Sequence, residues 1–169
     1  ATGAGVFLGA TDGDLVADRS TVAAVSREIR RLRPAVVLGH DPWKRYRLHP
    51  DHRAAGFLTI DAIVAARDPH FFRDQLGGAD GLSHHRPDAL LLFEADEANH
   101  AEPADPESVA AKLAALEAHT SQMETTHFYA LGEGDPLEGF RSREREHLRA
   151  AGEQFGTGPS EVFHLIDDL

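Results

Sequence analysis

Between Pro34 and His40 the chain runs Ala35-Val36-Val37-Leu38-Gly39, five residues with no polar side chain and two β-branched members. Such a run fits a short strand buried on both faces, as in a parallel sheet covered by helices. The residues before it strengthen the assignment. From Ser20 onward Val22, Val25, Ile29 and Leu32 recur at helical spacing, Arg27, Glu28, Arg30, Arg31 and Arg33 lie mostly on the opposite face, and Pro34 ends the pattern. A helix passing into a strand at one proline is half of a βαβ unit, and the expected fold class is α/β.

Other segments read in the same terms. Ala1–Gly9, with Val6-Phe7-Leu8, is expected to be the tail of a strand that ends at the turn residues Thr11-Asp12-Gly13-Asp14. Pro50 suits the first turn of a helix, and Phe57, Ile60, Ile63 and Val64 continue an apolar stripe to about Ala66. Asp68-Pro69 breaks that helix, and Gly77–Gly81 is a glycine-rich surface loop. Ala89–Phe93 reads as a second buried strand. Asp105-Pro106-Glu107-Ser108 is a helix start, carried by Val109, Leu113 and Leu116 to about His119. Arg141–Ala151 is a further helix, and Val162–Ile166 a closing strand. At 169 residues, one domain is expected.

Composition narrows the function. Seventeen Lys and Arg against 28 Asp and Glu give a net charge of −11, which repels a phosphate backbone, so no nucleic-acid partner is expected. With no cysteine, disulfides, thiolate ligands and cysteine nucleophiles are excluded, and any metal must use histidine and carboxylate. No apolar run approaches the roughly 20 residues of a spanning helix, so no membrane association and a cytoplasmic location are expected.

Of the 11 histidines, His84, His85, His127 and His147 read as solvated, and His164 as a half-buried strand residue. His49 and His52 differ. Spaced by three at a helix start, they share one side of a turn, which suits one metal ligand and one nearby acid–base group. Asp51 between them can accept an imidazole N–H and set the tautomer. Simple helix capping by His49 is the competing account. Both histidines follow the carboxyl end of a strand, where open α/β sheets bind ligands. His40 and Asp41 lie near that edge. Trp43 and Tyr46 are candidates for an aromatic wall of a site, and Arg45, Arg47 and Arg53 for contact with an acidic group. Gly56 allows close approach of another element.

The run Arg33–Gly56, above all His49-Pro50-Asp51-His52-Arg53-Ala54-Ala55-Gly56, resembles the PIG-L/LmbE-like family of zinc-dependent N-acetylglucosaminyl deacetylases, which includes mycothiol-pathway enzymes. Weaker likenesses lie at Leu8–Gly13 and from Lys112 to Gln122. The resemblance implies a Rossmann-like, mostly parallel sheet flanked by helices, zinc as cofactor, and His52 as a zinc ligand. It implies that His49 stabilises the oxyanion or protonates the leaving amine, that Asp51 orients His49, and that Asp12 contacts the substrate's sugar. The family's upstream His-Pro-Asp-Asp motif has no counterpart here. The remaining ligands and the general base are therefore expected from an N-terminal strand–helix portion lacking in this chain, or supplied as a separate chain. The expected activity is removal of an acetyl group from an N-acetylglucosamine-type sugar or a related small conjugate. The alternative is a non-catalytic α/β binding module without a metal site. The sequence leaves homo-oligomerisation open.

Overall fold

The computed structural model describes residues 5–77, 81–123 and 135–169. His127, residues 78–80 of the glycine-rich loop and residues 1–4 of the expected opening strand lie outside them. Two compact units are distinguished, Ala1–Ala98 with Phe163–Leu169, and Asn99–Val162. The first holds α1 (Arg19–Leu32), β1 (Val36–His40), α2 (Pro50–Arg67), a 3₁₀ turn at Arg73–Gln75 and β2 (Ala89–Phe93). The second holds β3 (His100–Pro103), α3 (Pro106–Glu117), the single turn α4 (Thr120–Gln122) and α5 (Pro136–Glu153), while β4 (Ser160–Ile166) runs through both.

The strand order is β1-β2-β4-β3. β1 and β2 are parallel, from Val36 opposite Ala89 to His40 opposite Phe93. β4 runs antiparallel to β2, with Leu90 opposite Ile166 and Phe93 opposite Phe163. The α/β class is as expected, but the sheet is mixed, because an apolar run encodes burial and not strand direction.

Local chemistry explains where α1 starts and stops. The Asp18 carboxylate accepts the amides of Ser20 and Thr21 at 2.8 and 2.9 Å, and the Asp18 amide donates to Thr21 Oγ1 at 3.0 Å, a reciprocal cap. Arg33, left-handed at φ 49°, ends the helix ahead of Pro34. Arg30 departs from the expected solvent-facing stripe: it is 1% exposed. Its guanidinium donates to the carbonyls of Ala65, Ala66, Asp68, Phe71 and Phe72 and to Gln75 Oε1. The last carbonyls of a helix have no partner within it, and Arg30 supplies one to the end of α2.

Ile29 of α1, Ala62, Ile63 and Ala66 of α2, and Leu90 and Leu92 of β2 form the core of the first unit. Two expectations fail here. β1 is not buried on both faces, since Val36 and Leu38 are exposed and only Gly39 is buried; the strand stands at an end of the strand order. Val6-Phe7-Leu8 forms no strand and is exposed, although the turn after it is present as Asp14 N–H to Thr11 O. In the second unit Leu113, Met123 and Phe140 pack together, and α5 begins at Pro136, capped by Asp135, ahead of the expected Arg141. β3 was not foreseen, because His-Ala-Glu-Pro has neither alternation nor β-branched residues.

Two glycines seat α2 against β1. A Cβ at Gly39 would meet the Thr59 side chain at 2.9 Å, and one at Gly56 would lie 2.7 Å from the His40 carbonyl and 2.9 Å from Pro42 Cβ. The close approach read from Gly56 is therefore an approach to the end of β1.

Arg30→Ala should strip the end of α2 of its donors and destabilise the protein by about 3 kcal/mol or more in urea unfolding, with Arg30→Lys recovering only part of the loss. An alanine variant within about 0.5 kcal/mol of the parent would show those carbonyls to be satisfied otherwise.

Candidate metal centre

His40 is the last residue of β1, Glu94 follows β2 directly, and His52 lies in the first turn of α2. The parallel register sets His40 beside Phe93, and the seating of α2 at Gly56 brings the helix start over the strand end. One donor atom from each of His40, His52 and Glu94 lies within 4.8 Å of the others. This is the carboxyl edge of two parallel strands, where α/β sheets bind ligands.

The imidazoles are layered. His52 stacks on His40 at 4.4 Å between centroids and on His49 at 4.7 Å, and His40 also touches the Phe93 ring at 4.4 Å. Burial pushes the His40 imidazole below its ordinary range, with the charges of His52 and Arg47 acting in the same direction and Glu94 opposing. Burial alone would raise the Glu94 carboxyl, but the hydrogen bond and charge of Arg47, with Lys44 and His40, outweigh it and hold the group below the usual carboxylate range. A neutral imidazole beside an ionised carboxylate is the protonation state that metal ligation requires.

His49 is the N-cap of α2, its Nδ1 accepting the Asp51 amide at 3.3 Å. In the neutral ring the proton then sits on Nε2, which makes His49 a donor and not a ligand. Capping and a donor role thus coexist. The Asp51 carboxylate, expected to orient His49, instead accepts the amides of Gly13 at 2.7 Å and Leu15 at 3.3 Å. It anchors the loop before α1, and Asp12 is the exposed residue preceding Gly13 in that loop. Among the described residues Asp51 addresses His49 through its backbone N–H.

Neither His40 nor Glu94 stood among the metal residues expected from sequence, which placed the partners of His52 outside this chain. The signal that could have found both is their position directly at the ends of two apolar strands. Arg47 is also part of the site. With its side chain 4% exposed, it donates through Nη1 to Glu94 Oε2 at 2.5 Å and to His40 Nδ1 at 3.0 Å. Tyr46 and Glu94 have left-handed backbones at φ 58° and 54°, strain of about 1–2 kcal/mol each for residues with a Cβ. Asp41 and Trp43, with Arg45, Asp96 and His164, line a neighbouring cavity of about 220 Å³. His164 is half-buried as expected, its Nδ1 donating to the Glu97 carbonyl at 2.6 Å. Tyr46 is exposed, and Arg45 pairs with Asp96. Arg53 donates to the Arg47 carbonyl, so of the three candidate arginines only Arg47 touches the donor cluster among the described residues.

Two imidazoles and a carboxylate are donors of the types that hold hydrolytic metals.

No family model matches the chain. It is 38% identical over 112 residues to a diacetylchitobiose deacetylase of Thermococcus kodakarensis, a match covering 66% of this chain and 40% of that protein. The chain thus corresponds to less than half the length of the curated relative it matches. Among solved structures it superposes on the N,N'-diacetylchitobiose deacetylase of Pyrococcus horikoshii with a TM-score of 0.76 and 25% identity, over 95% of this chain and 56% of that one. A conserved protein of Thermus thermophilus aligns at TM-score 0.68 and 24% identity, over 96% of this chain and 65% of that one. A 4-carboxy-2-hydroxymuconate hydratase of Pseudomonas putida aligns at 0.62 and 18%, over 94% and 62%. These last two share the fold, and a hydratase among them shows that the fold alone does not name a reaction.

Asp51→Ala should free the Gly13 and Leu15 amides, seen as faster hydrogen exchange at both and a loss of about 1–2 kcal/mol; unchanged exchange would mean the loop is held elsewhere. The lowered His40 value has a pH signature. Because the fold favours the neutral ring, the unfolded chain binds the proton more readily, so this contribution to stability is present at neutral pH. It is lost as pH falls through the ordinary imidazole range towards the folded-state value. Imidazole NMR should show His40 titrating below a model histidine, and replacement by Gln should flatten the acid side of the stability profile.

Proposed function

We propose that this protein is a zinc-dependent N-deacetylase acting on an N-acetylglucosamine-type amino sugar or a related small conjugate. The observation that carries the reading is the convergence of His40, His52 and Glu94 beside the donor His49, at the carboxyl edge of parallel strands. The likeness to two diacetylchitobiose deacetylases supports the choice of substrate class.

His52, His40 and Glu94 are the donors that this chain would offer the metal. Among the described residues neither ring nitrogen of His52 has a hydrogen-bond partner, which leaves a lone pair free for ligation. Zinc, when bound, would supply a water whose pKa is lowered towards neutrality and a positive charge to offset developing negative charge. The protein's own groups do the rest. His49, protonated at Nε2 and held by its cap, is placed to donate a hydrogen bond to the carbonyl oxygen as negative charge develops there. Fully protonated, it can hand a proton to the departing amine, without which the amine is a poor leaving group. A positioned acid of this kind contributes roughly 10²–10⁴-fold. Asp51 keeps the loop that carries Asp12 against the start of α2, where Asp12 can meet sugar hydroxyls. Trp43, exposed beside the 220 Å³ cavity and packed edge-on against Phe57, offers a flat face to the apolar side of a pyranose ring.

The full catalytic set is proposed to include an upstream strand–helix portion providing the general base and further ligands, in the same polypeptide or as a separate chain. A small N-acetylated molecule is the proposed partner, and a cytoplasmic location is part of the proposal. Among the described residues no helix is long and apolar enough to cross a membrane.

Zinc content and acetate release from an N-acetylated glucosamine substrate test the reading together. His52→Ala should lose zinc and activity; zinc retained at parental stoichiometry would remove His52 from the ligand set. His49→Ala should keep zinc and lose about 10²-fold or more in kcat, and an unchanged kcat would leave His49 a helix cap only. A protein without zinc and without acetate release, tested with its upstream portion present, would be a binding module.

A further inference from the structure

The cavity of about 220 Å³ beside Trp43 has a lining that is one-sided in its chemistry. Asp41, Trp43 and Arg45 reach it from the loop after β1, Asp96 and Glu97 from the residues after β2, and His164 from β4, all within the first unit. Three carboxylates stand there against one guanidinium. The volume is below the roughly 300 Å³ of a complete small-molecule pocket, so it suits one end of a larger substrate.

Most of the polar atoms that line it are acceptors without a donor. Asp41 is 7% exposed; its Oδ1 takes the Trp43 amide at 2.9 Å, and its Oδ2 has no protein partner among the described residues. A carboxylate taken so far out of water with an oxygen unused calls for a donor. His164 gives its Nδ1 proton to the Glu97 carbonyl at 2.6 Å, so the neutral ring is left with Nε2 as an acceptor. Asp96 accepts the Arg45 amide through Oδ2 at 2.7 Å and keeps Oδ1 without a protein partner among the described residues, and the exposed Glu97 carboxylate adds a third charge. Arg45 does little to cancel these charges. Its side chain is 77% exposed and its Nε stays 4.0 Å from Asp96 Oδ2, a pair screened by water. Trp43, 61% exposed, adds an indole face, whose negative quadrupole attracts cations.

We propose that this cavity is a subsite for a protonated amine, carried by the unit joined to the acetylated sugar. The inference rests on the deacetylase reading for the reaction and adds the charge of the substrate. A hydroxyl brings one donor and no charge, and a carboxylate brings repulsion. An ammonium group brings three donors and a positive charge, which Asp41 Oδ2, His164 Nε2 and the rim carboxylates accept while the indole covers it. The substrate class is therefore an N-acetylated sugar linked to an amine-bearing unit, in preference to one linked to a neutral or an acidic unit.

Acetate release from three disaccharides tests this, with the upstream portion present. Each carries N-acetylglucosamine, linked in turn to glucosamine with its free amine protonated, to glucose and to glucuronate. The glucosamine substrate should exceed the glucose one about tenfold in kcat/KM, the worth of one charge-assisted hydrogen bond, with the glucuronate substrate slowest. All three meet the same chemical centre, so their ratio isolates the subsite. Asp41→Asn, which keeps the acceptor for the Trp43 amide, should cut the preference to about threefold or less. If that variant fails to fold, Glu97→Gln, at an exposed residue, should still reduce it about twofold. Asp61→Asn removes an equal charge from the exposed face of α2 and should leave the ratio unchanged. Equal kcat/KM for the glucosamine and glucose substrates overturns the subsite. So does a preference that survives in both cavity variants, or one that falls equally in Asp61→Asn, which is a general field effect. No acetate from any of the three overturns the deacetylase reading, and a second measurement then decides the cavity alone. Glucosamine should change the fluorescence of Trp43, the single tryptophan of this chain, whereas glucose should not; a response to neither or to both equally sinks the subsite.

Discussion

No side chain of any size fits at position 56 without moving the His40 carbonyl or Pro42, and the site depends on that contact. It brings the first turn of α2 to rest on the end of β1, so that a histidine from the helix stacks on the histidine that closes the strand. The register of β1 against β2 then sets the residue after Phe93 beside both. Three donors separated widely in sequence meet because one helix can come within backbone distance of one strand. The rest of α2 is held in that seat by core packing along its length and by Arg30 gripping the carbonyls at its far end.

The electrostatics of the site follow from the same geometry. Taking His40 partly out of water favours its neutral form, and placing Glu94 against Arg47 favours its ionised form. Separate local causes produce a pair of protonation states suited to a metal. His49 is drawn the other way: capping the helix uses its Nδ1, and its outward nitrogen is left to donate. The cap and the proposed donor role do not conflict, because they use different ring atoms.

Much of the frame was legible in the residues. Helical spacing from Val22 to Leu32, the stop at Pro34, the apolar runs of β1 and β2 and the proline-led starts of α2 and α3 all reflect local physics. The polar segment that follows each of these strands was visible in one dimension as well. Arg30 shows the limit. Its helical position is plain from sequence, but whether an arginine at that position faces water or six acceptors depends on what lies across from it. Asp51 shows another: it is well placed in sequence to address His49, yet its carboxylate goes to amides 36 and 38 residues away.

By itself the sequence determined the fold class and the start of α2 at His49-Pro50, because capping and helical periodicity act among near neighbours. Only the tertiary structure decided that His40 and Glu94 join His52, that Arg47 stands among them and that β4 turns antiparallel. Those are matters of which elements meet and in what direction, set by long-range packing and register, and no local pattern of side chains encodes them.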